Sequence, residues 1–234
     1  MIVLRPGAER GQVQLDWLDS RHTFSFGHYY DPAWMGFGML RVINEDRVAP
    51  GGGFEPHRHA NMEILSYVVS GGLAHRDSTG GGGVIGPGEL QWMSAGHGVE
   101  HSEFNASDVE PVHFLQIWLQ PDRVNAAPAY AHRGACEGGG AWTLMASPDG
   151  ADGSLAIRQD ARLFEARLDQ GEAIGRPLKS DRRYWVQVVA GELTVNDRAA
   201  SAGDALGLVD EAGELALEAI GRGQAVALVF DLPG

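Results

Sequence analysis

The 234 residues include 18 basic and 31 acidic side chains, which gives a formal net charge of −13, and 44% of the residues are hydrophobic. This composition is sufficient for a packed core and excludes a disordered polyelectrolyte, while the negative charge argues against direct nucleic-acid binding. No stretch approaches the 18 or so apolar residues of a membrane span, and the first residues lack signal-peptide features. The single cysteine, Cys136, excludes an intrachain disulfide and fits the cytoplasmic location that we expect.

Short strands separated by glycine turns dominate the pattern along the chain. Glycine occurs 33 times, about twice its usual share of about 7%. No long stretch has helical periodicity, so we predict an all-β fold, either a sandwich or a barrel. The candidate strands are rich in β-branched and aromatic residues and cover residues 37–43, 63–69, 112–119, 163–168, 184–189 and 225–230.

Residues 120–152 differ from the rest of the chain. They contain three of the 11 prolines, the glycine triplet at 138–140 and few strand signals. This composition predicts a linker or crossover between two β-domains.

An internal repeat supports two domains. The glycine framework of the first half recurs in the second half, at an offset of 120 residues around Gly51 and Gly71 and at an offset of 115 around Gly88 and Gly98. These offsets align His57, His59, His101 and Glu103 with Pro177, Lys179, Ala216 and Glu218. We therefore predict a metal-binding domain over residues 1–130 and a domain without metal ligands over residues 131–234.

Two short motifs in the first half predict the metal site. His57-Arg58-His59 and His101-Ser102-Glu103 each place two donor side chains on one face of a strand. If the two strands face each other in a barrel, they supply three nitrogens and one oxygen to a single ion. This mixed set suits Fe(II), Mn, Co, Ni, Cu or Zn better than Ca or Mg.

The other histidines are assigned smaller roles by their sequence context. His97, in a glycine-rich turn, either lines the mouth of a pocket or lies in an ordinary loop. His75 and His132 are expected at the surface, and His113 is expected on a strand.

The motifs resemble those of a known family. The stretch from Gly51 to Glu63 resembles the first cupin motif, and Gly88 to Glu103 resembles the second in modified form. The segments 21–32, 56–63 and 90–96 are similar to the pirins, in particular to bacterial pirin-like quercetin 2,3-dioxygenases. The resemblance covers the whole chain and implies a bicupin, with a metal-binding cupin barrel at 1–130 and a degenerate cupin barrel at 131–234.

The resemblance also implies a site and an activity. One divalent ion, usually iron, would be held by His57, His59, His101 and Glu103, with Glu63 outside the ligand set. The activity implied is a metal-dependent dioxygenase that cleaves the central ring of flavonols such as quercetin with O2 and releases CO, with Glu103 as the catalytic base. The partners would then be a small phenolic substrate and O2.

Two alternatives remain open at this point. One is a metal- or redox-sensing pirin-like protein that acts through a protein partner and has incidental oxygenase activity. The other is a zinc-dependent cupin isomerase for small sugars or keto acids, although the sequence has no phosphate-binding basic cluster.

Overall fold

The computed structural model describes residues 1–135 and 141–234, so Cys136 and the glycine triplet lie outside the described residues. The described parts consist of β-strands and two short 3₁₀ turns, Gly7–Glu9 and Ala151–Gly153, and the predicted all-β class is confirmed. None of the helices in these parts has the length and apolar character needed to cross a membrane.

The first compact unit comprises residues 11–135 and 155–159. Its strands are β2 (Gly11–Gln14), β3 (Leu18–His22), β4 (Leu40–Val48), β5 (Gly53–His59), β6 (Glu63–Ser70), β7 (Leu73–Asp77), β8 (Gly82–Ile85), β9 (Leu90–Ser94), β10 (Val99–Asn105), β11 (Val112–Leu119), β12 (Ala129–Arg133) and β14 (Leu155–Ala156), following β1 (Ile2–Arg5) along the chain. Strands β2 to β12 form antiparallel sheets of order β12-β9-β6-β11-β4-β3-β2 and β5-β10-β7-β8. Val68 and Phe114 of one sheet pack with Leu73 and Ile85 of the other, so this core lies between the sheets.

The second unit comprises residues 1–10, 141–154 and 160–234. Besides β1, its strands are β13 (Trp142–Ser147), β15 (Arg162–Leu168), β16 (Ala173–Leu178), β17 (Arg182–Ala190), β18 (Glu192–Val195), β19 (Arg198–Ser201), β20 (Ala205–Val209), β21 (Gly213–Ala219) and β22 (Ala225–Pro233). The sheet orders are β1-β20-β17-β22-β15-β13 and β16-β21-β18-β19. Residues 1–10 and 155–159 both lie across the boundary that the sequence places after residue 130.

The two units share one strand order, as the internal repeat predicts. The order β9-β6-β11-β4-β3 of the first unit corresponds to β20-β17-β22-β15-β13 of the second. Gly71 and Gly191 occupy equivalent turns, with φ of +77° and +74°. A Cβ on Gly71 would lie 2.6 Å from a backbone carbonyl oxygen and one on Gly191 would lie 2.7 Å from another, so both turns require glycine.

Strand register corrects the alignment of β10 with the second unit by one residue. Asn105 lies opposite Leu73, and Ala219 lies opposite Leu193. His101 and Glu103 are therefore equivalent to Leu215 and Leu217, and not to Ala216 and Glu218. Because side chains alternate between the faces of a strand, a shift of one residue exchanges interior for surface.

The same correction applies to the other pair of histidines. His57 lies opposite His101, and Arg176 lies opposite Leu215, so His57 is equivalent to Arg176 and not to Pro177. His59 is likewise equivalent to Leu178 and not to Lys179. Arg176 and three leucines thus replace the four donors, and the second unit still lacks the metal-ligand pattern.

The predicted strands agree with the structure except at their ends. The first begins at Leu40 and extends through polar residues to Val48, whereas the sequence predicts 37–43. The predicted linker at 120–152 contains two strands, because β12 pairs with β9 and β13 pairs with β15.

Candidate metal centre

Three histidines from two neighbouring strands converge in the first unit. Antiparallel pairing of β5 with β10 places His57 directly opposite His101, with their Nε2 atoms 3.0 Å apart. The His59 ring lies 4.8 Å from each of the other two rings. Because His57 and His59 are two residues apart on β5, both side chains face the same side of the strand. One candidate ligand atom from each histidine lies within 4.8 Å of those of the other two.

The protonation of these histidines favours a cation between them. Nδ1 of His57 donates to the backbone carbonyl of Glu55 at 2.7 Å, which leaves the lone pair of the neutral ring on Nε2. Burial, with a smaller contribution from His57, lowers the pKa of His59 to about 4. Burial also lowers the pKa of His101, and the neighbouring histidines add to this effect. Neutral imidazoles with converging nitrogens are the donors that a divalent transition metal requires, so the residues fit such an ion.

Glu103 lies deeper in the same unit. It is buried, and its two carboxylate oxygens accept hydrogen bonds from Ser66 Oγ at 3.0 Å and from Gln116 Nε2 at 2.6 Å. Burial raises the pKa of Glu103 to about 7 despite these two hydrogen bonds, and Asp46 adds to the rise. Glu103 groups with His101 and His75, so His101 is common to this group and to the three-histidine cluster.

His75 was missed by the sequence reasoning, which predicted it at the surface. Only 4% of the residue is exposed, and its ring stacks on Tyr130 at a centroid distance of 4.9 Å. Its Nε2 lies 3.2 Å from Asp77 Oδ2, and its Nδ1 lies 3.4 Å from Nδ1 of His101. The available signal was the alternation in β7, where apolar Leu73 shares its face with His75 and Asp77.

Glu63 has a different environment. Its carboxylate accepts hydrogen bonds from Trp92 Nε1 at 2.7 Å, from Ser94 Oγ, and from the backbone N–H of Arg158 at 3.0 Å. It is fully buried by these contacts and belongs to neither group of candidate ligands among the described residues.

Aromatic side chains and a cavity adjoin the histidine cluster. The ring of Trp118 contacts His59 at 4.9 Å and Phe26 at 5.4 Å. The buried Nε1 of Trp118 has no hydrogen-bond partner within the described parts of the chain. A cavity of about 570 Å³ is lined by His59, His97, Arg58 and Glu100 among others. Its volume falls within the range of roughly 300–1,000 Å³ for small-molecule sites, and His97 lines it rather than lying in a remote loop.

Comparison with protein families matches both halves of the chain. Residues 4–119 match the family described as Pirin, and residues 144–232 match the family described as Quercetinase C-terminal cupin domain. The quercetin 2,3-dioxygenase of Escherichia coli strain K12 is 44% identical over 235 residues, covering 100% of this chain and 99% of that protein. A pirin-like protein of Caulobacter vibrioides is 39% identical over 216 residues, covering 91% of this chain and 92% of that protein.

Solved structures give the same result. The bacterial pirin YhhW of Escherichia coli in complex with nickel(II) has a TM-score of 0.94 and 43% identity, covering 100% of this chain and 99% of that chain. The two matched families and this likeness confirm two cupin domains in one chain.

Proposed function

The chain belongs to the pirin family, and from this premise we propose that it is a metal-dependent dioxygenase that cleaves the central ring of flavonols such as quercetin with O2 and releases CO. The observation that carries the proposal is the convergence of His57, His59 and His101 beside a cavity of small-molecule size. The full-length similarity to a quercetin 2,3-dioxygenase supports this substrate class.

We propose His57, His59, His101 and Glu103 as the ligands of one divalent ion. Fe(II) is the proposed native ion because the family resemblance implies it, and the same donors suit Mn, Co, Ni, Cu or Zn. The nickel complex of the similar bacterial pirin supports a divalent transition metal as the bound ion.

The residues of the chain define the steps around the substrate. When bound, the ion would act as a Lewis acid and lower the pKa of a flavonol hydroxyl. Glu103, buried beside His101, would be the base that accepts the hydroxyl proton. Ser66 and Gln116 hold its two oxygens in place. The aromatic edges of Trp118 and Phe26 shield this side of the cluster from water and offer an apolar surface to the flavonol rings.

The domain boundaries and the cellular location are part of the same proposal. We place the metal-binding domain at residues 1–130 and the domain without metal ligands at 131–234, with the two short exchanged segments noted above. A cytoplasmic location is supported by the single cysteine, which fits a reducing compartment.

Metal reconstitution tests the function. Protein stripped with a chelator is expected to show no quercetin-dependent O2 uptake and to regain uptake and CO release after one equivalent of Fe(II) or another active ion. Metal content and O2 consumption are measured on the same samples. Stoichiometric metal without O2 uptake for any tested ion would contradict the dioxygenase and would favour the sensing alternative.

Substitution of Trp118 by phenylalanine tests the wall of the site. We expect Trp118→Phe to raise KM for quercetin by about 3- to 10-fold, because the smaller ring leaves a gap beside His59, against which the indole packs at a centroid distance of 4.9 Å. Metal content should not change. Steady-state kinetics with Trp142→Phe as the control would decide, since Trp142 lies in the second unit. An unchanged KM would show that the indole does not shape the substrate site.

A further inference from the structure

We propose that Asp77 and His75 are positioning residues that favour the metal-binding tautomer of His101, in which Nδ1 carries the proton and Nε2 keeps the lone pair that faces His57. The inference rests on the proposed metal site for its functional meaning. The hydrogen-bond chain behind it involves only side chains of the first unit: Asp77, His75 and His101.

The chain begins at a carboxylate that is held from one side. Asp77 Oδ1 accepts hydrogen bonds from Thr79 N at 2.8 Å, Thr79 Oγ1 at 2.6 Å and Gly81 N at 3.0 Å. Burial would raise the pKa of Asp77, but the hydrogen bonds from Thr79, His75 and Gly81 outweigh it and hold the pKa below its usual value. An ionised carboxylate only accepts hydrogen bonds, so Nε2 of His75, which faces Oδ2 at 3.2 Å, must be the donor.

His75 passes this constraint to the next ring. A neutral imidazole ring has a single proton. In His75 that proton is on Nε2, where Asp77 accepts it, which leaves a lone pair on Nδ1. Stacking on Tyr130, with an interplanar angle of 10°, holds the ring in this orientation. The contact with Nδ1 of His101, 3.4 Å away, is a hydrogen bond when His101 donates.

The outcome for His101 is a defined donor set. With the proton on Nδ1, its Nε2 lone pair faces Nε2 of His57, whose tautomer the Glu55 carbonyl fixes in the same way. Without an ion, a proton on Nε2 of His101 closes the 3.0 Å contact with His57, and binding an ion returns that proton to Nδ1, where His75 accepts it. Hydrogen bonds to the distal nitrogen of a metal-binding histidine typically change metal affinity by about 10- to 100-fold.

The decisive variant is Asp77→Asn, which preserves shape and reverses one hydrogen bond. The N–H groups of Thr79 and Gly81 need an acceptor, so the amide oxygen of the new side chain takes the Oδ1 position. The amide NH2 then faces His75. His75 must accept at Nε2 and carry its proton on Nδ1, where it meets the Nδ1–H of the metal-binding tautomer of His101. We expect the Kd for Ni(II) to rise about 10- to 100-fold.

Two readouts follow this shift. Ni(II) affinity is measured by competition with a chelating dye, and ¹⁵N NMR of the histidine rings in chelator-stripped protein reports which nitrogen of His75 carries the proton. Wild type should show a protonated Nε2, and Asp77→Asn should show a protonated Nδ1. A purely structural effect of the substitution would not exchange the two nitrogens.

A matched pair at His75 provides a second test. The side-chain oxygen of asparagine in His75→Asn can replace Nδ1 and accept from His101, so Ni(II) affinity should stay within about 3-fold of wild type. The longer side chain of glutamine in His75→Gln can replace only Nε2. It keeps the hydrogen bond to Asp77 and leaves Nδ1 of His101 without an acceptor, so Ni(II) affinity should fall at least about 10-fold. If His75 served only to fill space, the larger glutamine would be the milder substitution.

The outcomes separate this inference from the proposed function. Wild-type Ni(II) affinity and an unchanged His75 tautomer in Asp77→Asn would overturn the inference. The expected tautomers in stripped wild type and variant, together with failure of both to bind any divalent ion, would support the inference and contradict the proposed metal function.

Discussion

Replacing His101 by alanine is expected to abolish stoichiometric metal binding and to lower kcat/KM for quercetin-dependent O2 uptake by more than about 10³-fold, which corresponds to about 4 kcal/mol of transition-state stabilisation. His101 belongs to both groups of candidate ligand atoms, so its loss disrupts the cluster with His57 and His59 and the contact with Glu103. Metal analysis and O2 uptake on the purified variant provide the measurement.

The fold of the variant should survive, which makes the result interpretable. The apolar core of this unit is formed by other residues, including Val48, Val68 and Phe114. His132→Ala is the matched control because His132 is exposed and outside both ligand groups. A His101→Ala protein that retains one equivalent of metal and wild-type turnover would contradict the site assignment.

The part of the site that the sequence predicts depends on strand periodicity. His57 and His59, like His101 and Glu103, are spaced by two residues, and this spacing alone places each pair on one face. The cross-strand pairing of His57 with His101 could not be read from spacing, because it depends on the register of β5 against β10. The family resemblance supplied that information.

The hydrogen-bonded residues behind the cluster were harder to predict. Asp77 and His75 are polar residues in a short strand, and polar residues usually mark the surface. Here both can be buried because His75 Nε2 and Asp77 Oδ2 form a hydrogen bond with each other. Thr79 and Gly81 donate hydrogen bonds to the other carboxylate oxygen of Asp77. Such mutual satisfaction is a property of three-dimensional contacts, so local composition gives no direct sign of it.

Strand β4 shows the same limit. The prediction ended it at residue 43, where the apolar run stops, although the strand continues through Asn44, Glu45 and Asp46. The interior of this unit is polar near Glu103, so an inward-facing strand carries polar residues there. The glycine framework placed the ligand strands one residue out of register with the second unit for a related reason. Turn glycines show where the repeat lies, but they do not show which face of the strand each neighbouring side chain occupies.

Asp46 in this polar interior should make the metal-free protein less stable as the pH rises. Only 3% of the residue is exposed, and its Oδ1 has no hydrogen-bond partner among the residues described. Burial raises the pKa of Asp46 from 3.8 to about 7. A hydrogen bond with Ser20 opposes this rise, and the nearby charge of Glu45 adds to it. Ionising Asp46 in the folded state is therefore costly, whereas in the unfolded chain it ionises near its ordinary pKa.

The sign of the pH dependence follows from this difference. Between about pH 4 and 7 Asp46 is protonated to a greater extent in the folded than in the unfolded state, so its contribution to the free energy of unfolding falls as the pH rises through this window. The penalty is absent below it and complete above it, and the pKa shift corresponds to roughly 4 kcal/mol. Asp46→Asn removes this ionisation, so in urea unfolding of chelator-stripped protein the variant should gain stability relative to wild type between pH 5 and pH 8.

The control for this prediction is Asp108→Asn, because Asp108 is an exposed acid in the same unit. That variant should retain the wild-type pH dependence, and an equal dependence in Asp46→Asn would contradict the assignment. Glu103, whose pKa is also raised to about 7, contributes a slope of the same sign that remains in Asp46→Asn. His59, His75 and His101, whose pKa values are lowered by burial, contribute a slope of the opposite sign in wild type and variant alike. The difference between the two proteins therefore isolates Asp46, whatever the net slope of either.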